Sequence, residues 1–176
     1  MAALMGLPKW ISDVVEARQR EFVDSPDDVG IFGPPVLRAG ATEAEIARLQ
    51  ARFSHPLEDD CVEFLRQSDG MENYALGVPI YGTRDWSSGR VQDESGQFLR
   101  IQAELLHDDA EIPEGTEIVP ISMNTDRTAG TFMVPRGDYR GRIFWVGHGD
   151  LCVYSGIRSL FRRAVNSDPG EIDWIL

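Results

Sequence analysis

The sequence predicts an α+β fold, an antiparallel meander of about four to six strands with helices packed mainly on one face. Three observations lead to this class. Residues 41–70 have the pattern of two consecutive amphipathic helices, the last third contains several short β-branched and aromatic runs, and another amphipathic helix follows them. Helices, then a run of strands, then a helix is the order expected of a sheet that helices cover.

The N-terminal part is expected to form one helix and a connector. Residues 9–23 predict a helix with Trp10, Val14 and Ala17 along one apolar stripe. Residues 24–39 are rich in proline and glycine, which is typical of a connector between elements. The apolar residues among them indicate that the connector packs onto the body of the domain.

The first central helix has a clear start signal. Thr42 is followed three residues later by Glu45, the capping-box pattern in which each side chain bonds the other residue's backbone N–H. Ile46, Leu49 and Phe53 then recur at helical spacing. These positions predict a helix that runs to about Phe53 and buries one face.

A second central helix is expected directly afterwards. Pro56 breaks the first helix and is well placed near the start of the second. Three acidic residues follow it, where the helix dipole favours negative charge. Gly70 is suited to the left-handed position just past the helix end. The apolar stripe of this helix consists of Leu57, Cys61, Phe64 and Leu65.

The middle of the chain mixes weaker patterns. Residues 74–81 predict a strand, and Pro79 places it at a sheet edge or a bulge because proline cannot donate to the ladder. Residues 82–96 predict a loop, residues 97–106 a short helix, and residues 107–115 an acidic turn.

The last third changes to strand patterns joined by short turns. Turns of this length connect neighbouring antiparallel strands, so a meander is expected. A final helix is predicted over residues 155–165, followed by a short tail at residues 166–176. The predicted strands are residues 118–122, 130–134, 142–146 and 151–154.

Length and composition narrow the class of protein. A chain of 176 residues with 42% hydrophobic residues is long enough for a buried core, and we interpret residues 1–176 as a single domain. No apolar run approaches the ~20 residues of a membrane helix, and the opening residues lack the pattern of a secretory signal. Cys61 and Cys152 stand in apolar contexts, which indicates buried, reduced thiols in a cytoplasmic protein.

The charge balance is strongly acidic. Seventeen Lys and Arg residues against 29 Asp and Glu residues give a net charge of −12. Nucleic acid is therefore not expected as a direct partner, because phosphate binding needs basic surface. Acidic surface can simply keep a protein soluble, or it can steer the protein towards a basic protein partner. The sequence leaves both interpretations open, and it also leaves the oligomeric state open.

The sequence contains no catalytic or cofactor-binding motif. His107 and His148 stand beside acidic residues, but loop histidines of this kind are more often surface turns than metal ligands. A calcium-loop interpretation fails at Ala129, where the sharp turn needs glycine. We therefore expect a non-enzymatic protein without metal or cofactor. A small enzyme with a His/Asp loop site is the less favoured alternative. It stays open because a site that is assembled from distant residues leaves little trace in the local sequence.

The order of elements resembles the SUKH superfamily, which includes bacterial toxin-immunity proteins and a yeast cell-wall assembly regulator. The resemblance covers residues 41–165. Its opening part is carried by Thr42, Glu45-Ile46, the stretch from Leu57 to Leu65, and Ser68-Asp69-Gly70. Its later part is carried by Tyr81-Gly82, Ile118-Val119-Pro120-Ile121, Gly130, Ile143-Phe144-Trp145, and Ser155 to Val165. The chain departs from the family pattern at Leu57-Glu58 instead of Leu-Pro, at Cys61 instead of an aromatic residue, and at Asp69-Gly70 instead of Asn-Gly.

This resemblance implies a binding protein with no catalytic residues. Members of the immunity branch bind and neutralise a cognate toxin, often a nuclease or deaminase, through surfaces that differ between members, so no contact residue transfers. We expect an immunity protein that occludes a basic toxin domain. The alternative is a regulatory or scaffold module that binds an endogenous protein, as in the yeast branch.

Loops are the expected place for a partner-binding surface on this chain. Trp86 beside Asp85 has the profile of an interface anchor with an acidic rim, although the sequence slightly favours core packing for Trp86. Acidic residues in the loops are expected to contact a basic partner together with Trp86. The residues singled out for partner binding are Asp85, Trp86, Asp108, Asp109, Glu111 and Asp126.

Overall fold

The computed structural model describes residues 6–24, 33–75, 77–102, 105–109, 111–135 and 139–166, and it has the predicted α+β class. The described helices are α1 (Lys9–Asp24), α2 (Glu43–Gln50), α3 (Asp59–Gln67), α4 (Thr83–Ser87), α5 (Arg90–Ile101) and α6 (Ile157–Asn166), with a π-helical turn at Leu105–Asp109. The described strands are β1 (Val36–Leu37), β2 (Met71–Ala75), β3 (Val78–Ile80), β4 (Val119–Met123), β5 (Ala129–Met133), β6 (Ile143–Gly147) and β7 (Asp150–Tyr154). Among these described helices, none combines the length and apolar character that crossing a bilayer requires.

The first three helices form where the sequence predicts them. The capping box of α2 is present, because the Glu45 N–H donates to Thr42 Oγ1 at 3.3 Å and the Thr42 N–H donates to Glu45 Oε2 at 2.8 Å. α2 ends at Gln50, before the predicted end at Phe53, and α3 begins after Glu58. The predicted apolar stripe of α3 is buried: Leu57, Cys61, Phe64 and Leu65.

The predicted strand at residues 74–81 is part of a hairpin instead. β2 and β3 pair antiparallel on either side of Gly77, whose φ of +80° glycine adopts without strain. β1 pairs with the other side of β2, so the order of this sheet is β1-β2-β3. β3 is therefore an edge strand of the sheet, which agrees with the prediction from Pro79.

The last four strands form a second sheet, an antiparallel meander in the order β4-β5-β6-β7. Each lies within one residue of its predicted bounds. One sheet was expected, but the strands divide into two, linked where the Tyr81 N–H donates to the Ile121 carbonyl at 2.8 Å. Pro79 explains why the two sheets do not join. In a strand, every second N–H points to the same neighbour, so the donor before Tyr81 on this side would be residue 79, and proline has no N–H to donate.

The prediction of a loop over residues 82–96 is wrong, because α4 and most of α5 occupy it. Gly89, with φ +78°, precedes α5, and Val91 and Phe98 on α5 are buried. The glycine and serine residues of this segment have low helix propensity, so the sequence pattern does not predict the helices. Residues 97–101 of the helix predicted at 97–106 form the C-terminal part of α5, and Leu105 and Leu106 belong to the π-helical turn. Residues 103–104 of that prediction lie outside the described part of the chain.

Gly70 is needed for a different reason from the predicted helix cap. Its φ is +93°, but α3 ends at Gln67, so Gly70 lies too far along the chain to cap it. A Cβ at Gly70 would stand 2.7 Å from the Ile80 carbonyl oxygen and 2.9 Å from the Gly82 nitrogen. The glycine therefore permits two chain segments to approach closely.

Apolar residues form two clusters on opposite faces of the β4–β7 sheet. The larger cluster joins α1, α2, α3, α6 and the first sheet to residues such as Met133 and Ile143. The smaller cluster packs Phe98 of α5 against Phe132 and Phe144. Met133 and Phe132 fall in different clusters because successive side chains of a strand point to opposite faces. Helices therefore cover both faces of the β4–β7 sheet, and most of them lie on the face of the larger cluster.

Two predicted segments lie partly outside the described part of the chain. They are residues 25–32 of the connector and residues 167–176 of the tail.

Cys61 and Cys152 are free and buried, as the sequence predicts. The Cys61 thiol contacts Met133 Sδ at 3.7 Å inside the larger cluster.

Candidate functional site

Trp86 is a core residue in this structure. Its side chain is only 5% exposed, and it packs edge-on against Phe53, with ring centroids 5.0 Å apart and an interplanar angle of 89°. This is the core packing that the sequence slightly favours for Trp86. An anchor that enters a partner must present its ring to solvent, and Trp86 does not.

Asp85 holds together the start of α4 and the segment after β1. Its Oδ2 lies 2.6 Å from Arg38 Nη1 and accepts the Gly82 N–H at 2.8 Å. The neighbouring buried Asp69 accepts the Thr83 N–H through Oδ1 at 2.5 Å. These contacts satisfy backbone donors at the start of α4 and give Asp85 a structural role.

Residues 107–115, which we call the acidic loop, are anchored by buried residues. Leu106 and Ile112 are 2% and 1% exposed and belong to the smaller apolar cluster. The Ile112 N–H donates to the Leu106 carbonyl at 3.0 Å, and His107 Nδ1 lies 2.5 Å from the Ile112 carbonyl oxygen. The Tyr139 hydroxyl donates to the Glu111 carbonyl at 3.3 Å. The loop is therefore attached to the sheet by the packing of Leu106 and Ile112, and to the connection between β5 and β6 by the Tyr139 hydrogen bond.

The acidic loop presents carboxylates without basic partners. Asp108, Glu111 and Glu114 are exposed, and within the described part of the chain no ion pair involves them. The backbone of Asp109 lies in the π-helical turn, but its side chain lies outside the described residues. Glu111 has a φ of +53°, a left-handed conformation that is uncommon for residues other than glycine. Glu114 lies within the predicted acidic turn but is not among the residues predicted to bind a partner.

Many other carboxylates of the described chain are paired with arginine. The two opposite charges of such an ion pair offset each other, so the pair contributes little to the long-range electrostatic field of the protein. The acidic loop is thus a place where the excess negative charge of the chain remains uncompensated. Examples of the paired carboxylates are Glu43 with Arg66, Glu58 with Arg140, Asp60 and Glu63 with Arg158, and Glu94 with Arg127.

Asp126 lies apart from the acidic loop. It stands in the exposed turn between β4 and β5, where its Oδ1 accepts the Thr128 hydroxyl at 2.8 Å and the Thr128 N–H at 3.3 Å. The hydrogen bond from the Thr128 hydroxyl lowers the pKa of the Asp126 carboxyl. Glu111 is tied to the connection between β5 and β6, which is at the other end of the sheet. The structure therefore separates Asp126 and Asp85 from Asp108 and Glu111.

The three histidines occupy different surroundings. His55 Nδ1 lies 3.7 Å from Glu117 Oε2, His107 belongs to the acidic loop, and His148 lies in the turn between β6 and β7 with a φ of +56°. Across the described ranges, no group of three or more His, Cys, Asp or Glu side chains is arranged to hold a metal ion.

No protein-family model matches the chain, and no curated protein matches it. The resemblance to the SUKH superfamily therefore stays a prediction that rests on the motifs in residues 41–165.

The structure also contains a cleft that the sequence analysis missed. It lies on the face of the β4–β7 sheet opposite the smaller cluster, and Ser122, Thr131 and Trp145 contribute to its lining. A signal was present, because Ser122 and Thr131 are polar residues within strands that are otherwise apolar. The sequence alone does not show that they lie side by side, since this depends on the register of three strands.

Proposed function

We propose that this protein is a non-enzymatic, cytoplasmic binding protein that recognises a basic protein partner, and that it acts as an immunity protein by occluding a cognate toxin domain. The observation that carries the proposal is the acidic loop, in which Asp108, Glu111 and Glu114 are exposed and form no ion pair with another described residue, on a chain with a net charge of −12. The ordered SUKH-like motifs supply the immunity role. The buried free thiols of Cys61 and Cys152 suit a reducing compartment.

Charge of this kind favours association with a basic surface. Exposed, like-charged groups create a field that steers an oppositely charged partner and raises its association rate at low salt. Asp108, Glu111 and Glu114 supply such a field at one end of the β4–β7 sheet. Pairing them with lysine or arginine of a partner requires no existing ion pair of the described chain to be broken.

Anchoring of the loop also favours binding. A segment that is ordered before association loses less conformational entropy when it binds. Leu106 and Ile112 fix the loop to the smaller apolar cluster, and Tyr139 bonds its backbone. The exposed carboxylates are therefore attached to a supported backbone.

Co-expression tests the proposal directly. Toxin domains encoded beside the gene are expressed with the wild-type chain, with Glu111→Lys/Glu114→Lys, and with the control Glu16→Lys/Asp24→Lys. Both variants change the net charge equally, but Glu16 and Asp24 lie on α1, on the other side of the β4–β7 sheet. We expect protection and co-purification with the wild type and the control, and a loss of both with the loop variant.

Two results would count against the proposal in different ways. Absence of protection by the wild-type chain against every neighbouring toxin domain would contradict the immunity role. Equal protection by the loop variant and the control would contradict the acidic loop as the contact surface. Circular dichroism of both variants establishes that each remains folded.

A further inference from the structure

A cleft of about 460 Å³ opens between α1, the β2–β3 hairpin, α6 and one face of the β4–β7 sheet. This volume falls within the range of about 300–1,000 Å³ that is typical of small-molecule sites. The cleft is distinct from the acidic loop, which packs on the opposite face of the same sheet.

The floor is a polar row across three strands. The register places Ser122 opposite Thr131 and Thr131 opposite Trp145, so the three side chains are neighbours on one face. Ser122 and Thr131 are 3% and 4% exposed, and their hydroxyls make no hydrogen bond to another described residue. Buried hydroxyls are normally hydrogen-bonded, so these two are suited to a water or ligand in the cleft.

The walls are aromatic. Tyr74 and Tyr154 line the cleft together with Trp145 of the floor. The Tyr74 hydroxyl donates to the Leu160 carbonyl at 3.4 Å, which fixes the ring beside α6. The Arg18 guanidinium stands over the Tyr74 ring, 5.1 Å from its centroid. Three aromatic rings around one space favour a ligand with an aromatic or flat apolar body.

Among the described residues that line the cleft, the charged ones are Arg18 and Arg163. This is the reverse of the balance of the whole chain, which has 29 acidic and 17 basic residues. Arg18 pairs with Glu21 on α1, and its Nε is buried without a hydrogen-bond partner among the described residues. Because a guanidinium has five donors, Arg18 can retain Glu21 and still bond a second anion.

Arg163 brings its charge to the other wall. Burial raises the pKa of the Cys152 thiol and of the Tyr154 phenol, and the positive charge of Arg163 opposes both increases. The charge of Arg163 therefore acts on Cys152 and Tyr154 of β7, and Tyr154 lines the cleft. Two guanidiniums in a partly enclosed space favour a carboxylate or phosphate, which they bind through charge-assisted hydrogen bonds.

We propose that this cleft is a binding site for a small anionic molecule, a carboxylate or a phosphate monoester that carries an aromatic or apolar body. Arg18 and Arg163 bind the anionic group, Ser122 and Thr131 supply hydrogen bonds, and the rings of Tyr74, Trp145 and Tyr154 pack against the body. The site is independent of the proposed protein-binding surface.

Three probes of similar size test the proposal on the full chain: phenylacetate, phenyl phosphate and phenethylamine. Binding is followed by NMR through the indole N–H signal of Trp145, which the variant Trp145→Phe assigns. We expect saturable shifts with phenylacetate or phenyl phosphate and none with the cationic phenethylamine. The stronger of the two anions identifies the ligand as a carboxylate or a phosphate.

Matched variants connect the binding to the cleft. Arg163→Gln is compared with Arg162→Gln, a change at the neighbouring exposed arginine of α6 that does not line the cleft. We expect Arg163→Gln to weaken anion binding about tenfold or more and Arg162→Gln to leave it unchanged. Ala164→Phe fills the cleft without removing charge and is also expected to block binding.

Three results would overturn the proposal. The first is an equal shift with phenethylamine, which would show that the arginines do not select the ligand. The second is equal affinity of the wild type and a folded Arg163→Gln variant. The third is the absence of any shift with either anion at about 10 mM, well above the range expected for ligands of this size in a formed site.

Discussion

The Arg38 guanidinium and the Asp85 carboxylate form an ion pair of 2.6 Å that ties the segment after β1 to α4. Both side chains are about three-quarters buried, with 22% and 25% exposed. Arg38 also reaches the Asp69 carbonyl and the Glu72 carboxylate. This junction joins segments that are far apart in the sequence, and it uses a residue that the sequence assigned to partner binding.

Replacing Arg38 tests the structural role of this pair. We expect Arg38→Met to lower the free energy of unfolding by about 1 to 3 kcal/mol, because partly buried Asp85 loses a charged donor. The control is Arg66→Met, which removes an ion pair of the same 2.6 Å length whose side chains are 49% and 71% exposed. Its expected cost is below about 1 kcal/mol. Urea unfolding measures both, and equal losses would contradict the assignment.

Trp86→Ala is expected to act on stability. Removing a buried tryptophan side chain costs about 3 to 5 kcal/mol, because packing is lost and a cavity remains beside Phe53. Ile101→Ala is the matched control, since Ile101 is 69% exposed and its change is expected to stay within about 0.5 kcal/mol. Thermal unfolding measures the two variants. A loss below about 1 kcal/mol for Trp86→Ala would contradict its place in the core.

The sequence predicts elements best where periodicity and end signals agree. α2 and α3 combine apolar spacing with a capping box, acidic first-turn residues and a proline, and both form at the predicted place. The strands β4 to β7 alternate with short turns and are also predicted well. α4 and α5 are missed because Gly89, Gly96 and several serines weaken their pattern, and burial against the sheet outweighs local preference.

The candidate site is harder to predict because it depends on which residues meet. Asp85 and Trp86 are polar and aromatic neighbours in what the sequence presents as a loop, so they resemble a binding edge. Only the fold shows that Arg38 and Phe53, each more than thirty residues earlier in the chain, cover them. The acidic loop needs no such information, because a run of carboxylates is visible in the sequence itself.

Two glycines are expected to respond oppositely to alanine. Gly96 lies inside α5, and the nearest atom to a Cβ there is Arg100 Nη1 at 3.9 Å. Gly96→Ala is therefore expected to raise the free energy of unfolding by about 0.5 to 1 kcal/mol. At Gly82 a Cβ would overlap the Asp69 backbone carbonyl, so Gly82→Ala is expected to destabilise. Urea unfolding distinguishes the two signs, and stabilisation by Gly82→Ala would contradict the close approach.

The capping box of α2 is expected to contribute at neutral pH and to weaken in acid. Thr42→Ala is expected to cost about 1 kcal/mol, and Thr42→Ser much less, because serine retains the hydroxyl acceptor. The hydrogen bond from the Thr42 backbone N–H lowers the pKa of Glu45 below its ordinary 4.5. The folded state thus holds this proton less tightly than the unfolded state, so the contribution is present above pH 4.5 and is lost as pH falls through the folded pKa. Glu45→Gln is expected to flatten that acid limb, and an unchanged limb would contradict the prediction.

Tyr74 is expected to make the protein sensitive to alkali. Burial raises the pKa of its phenol from 10.0 to about 12. Between these pH values the unfolded state loses the proton while the folded state retains it, so the free energy of unfolding falls by about 1.4 kcal/mol per pH unit. Burial also raises the pKa of Cys61 from 9.0 to about 12, which adds to the loss in the same direction.

Tyr74→Phe isolates the contribution of the phenol. The variant loses the hydrogen bond to the Leu160 carbonyl, at a cost of about 1 kcal/mol near neutral pH. Above pH 10 its stability is expected to decline less steeply than that of the wild type, because only the Cys61 proton and more exposed groups remain to be released. Urea unfolding at a series of pH values measures the slopes, and tyrosinate absorbance follows the ionisation. Parallel slopes in the two proteins would show that Tyr74 ionises as easily in the folded state as in the unfolded chain.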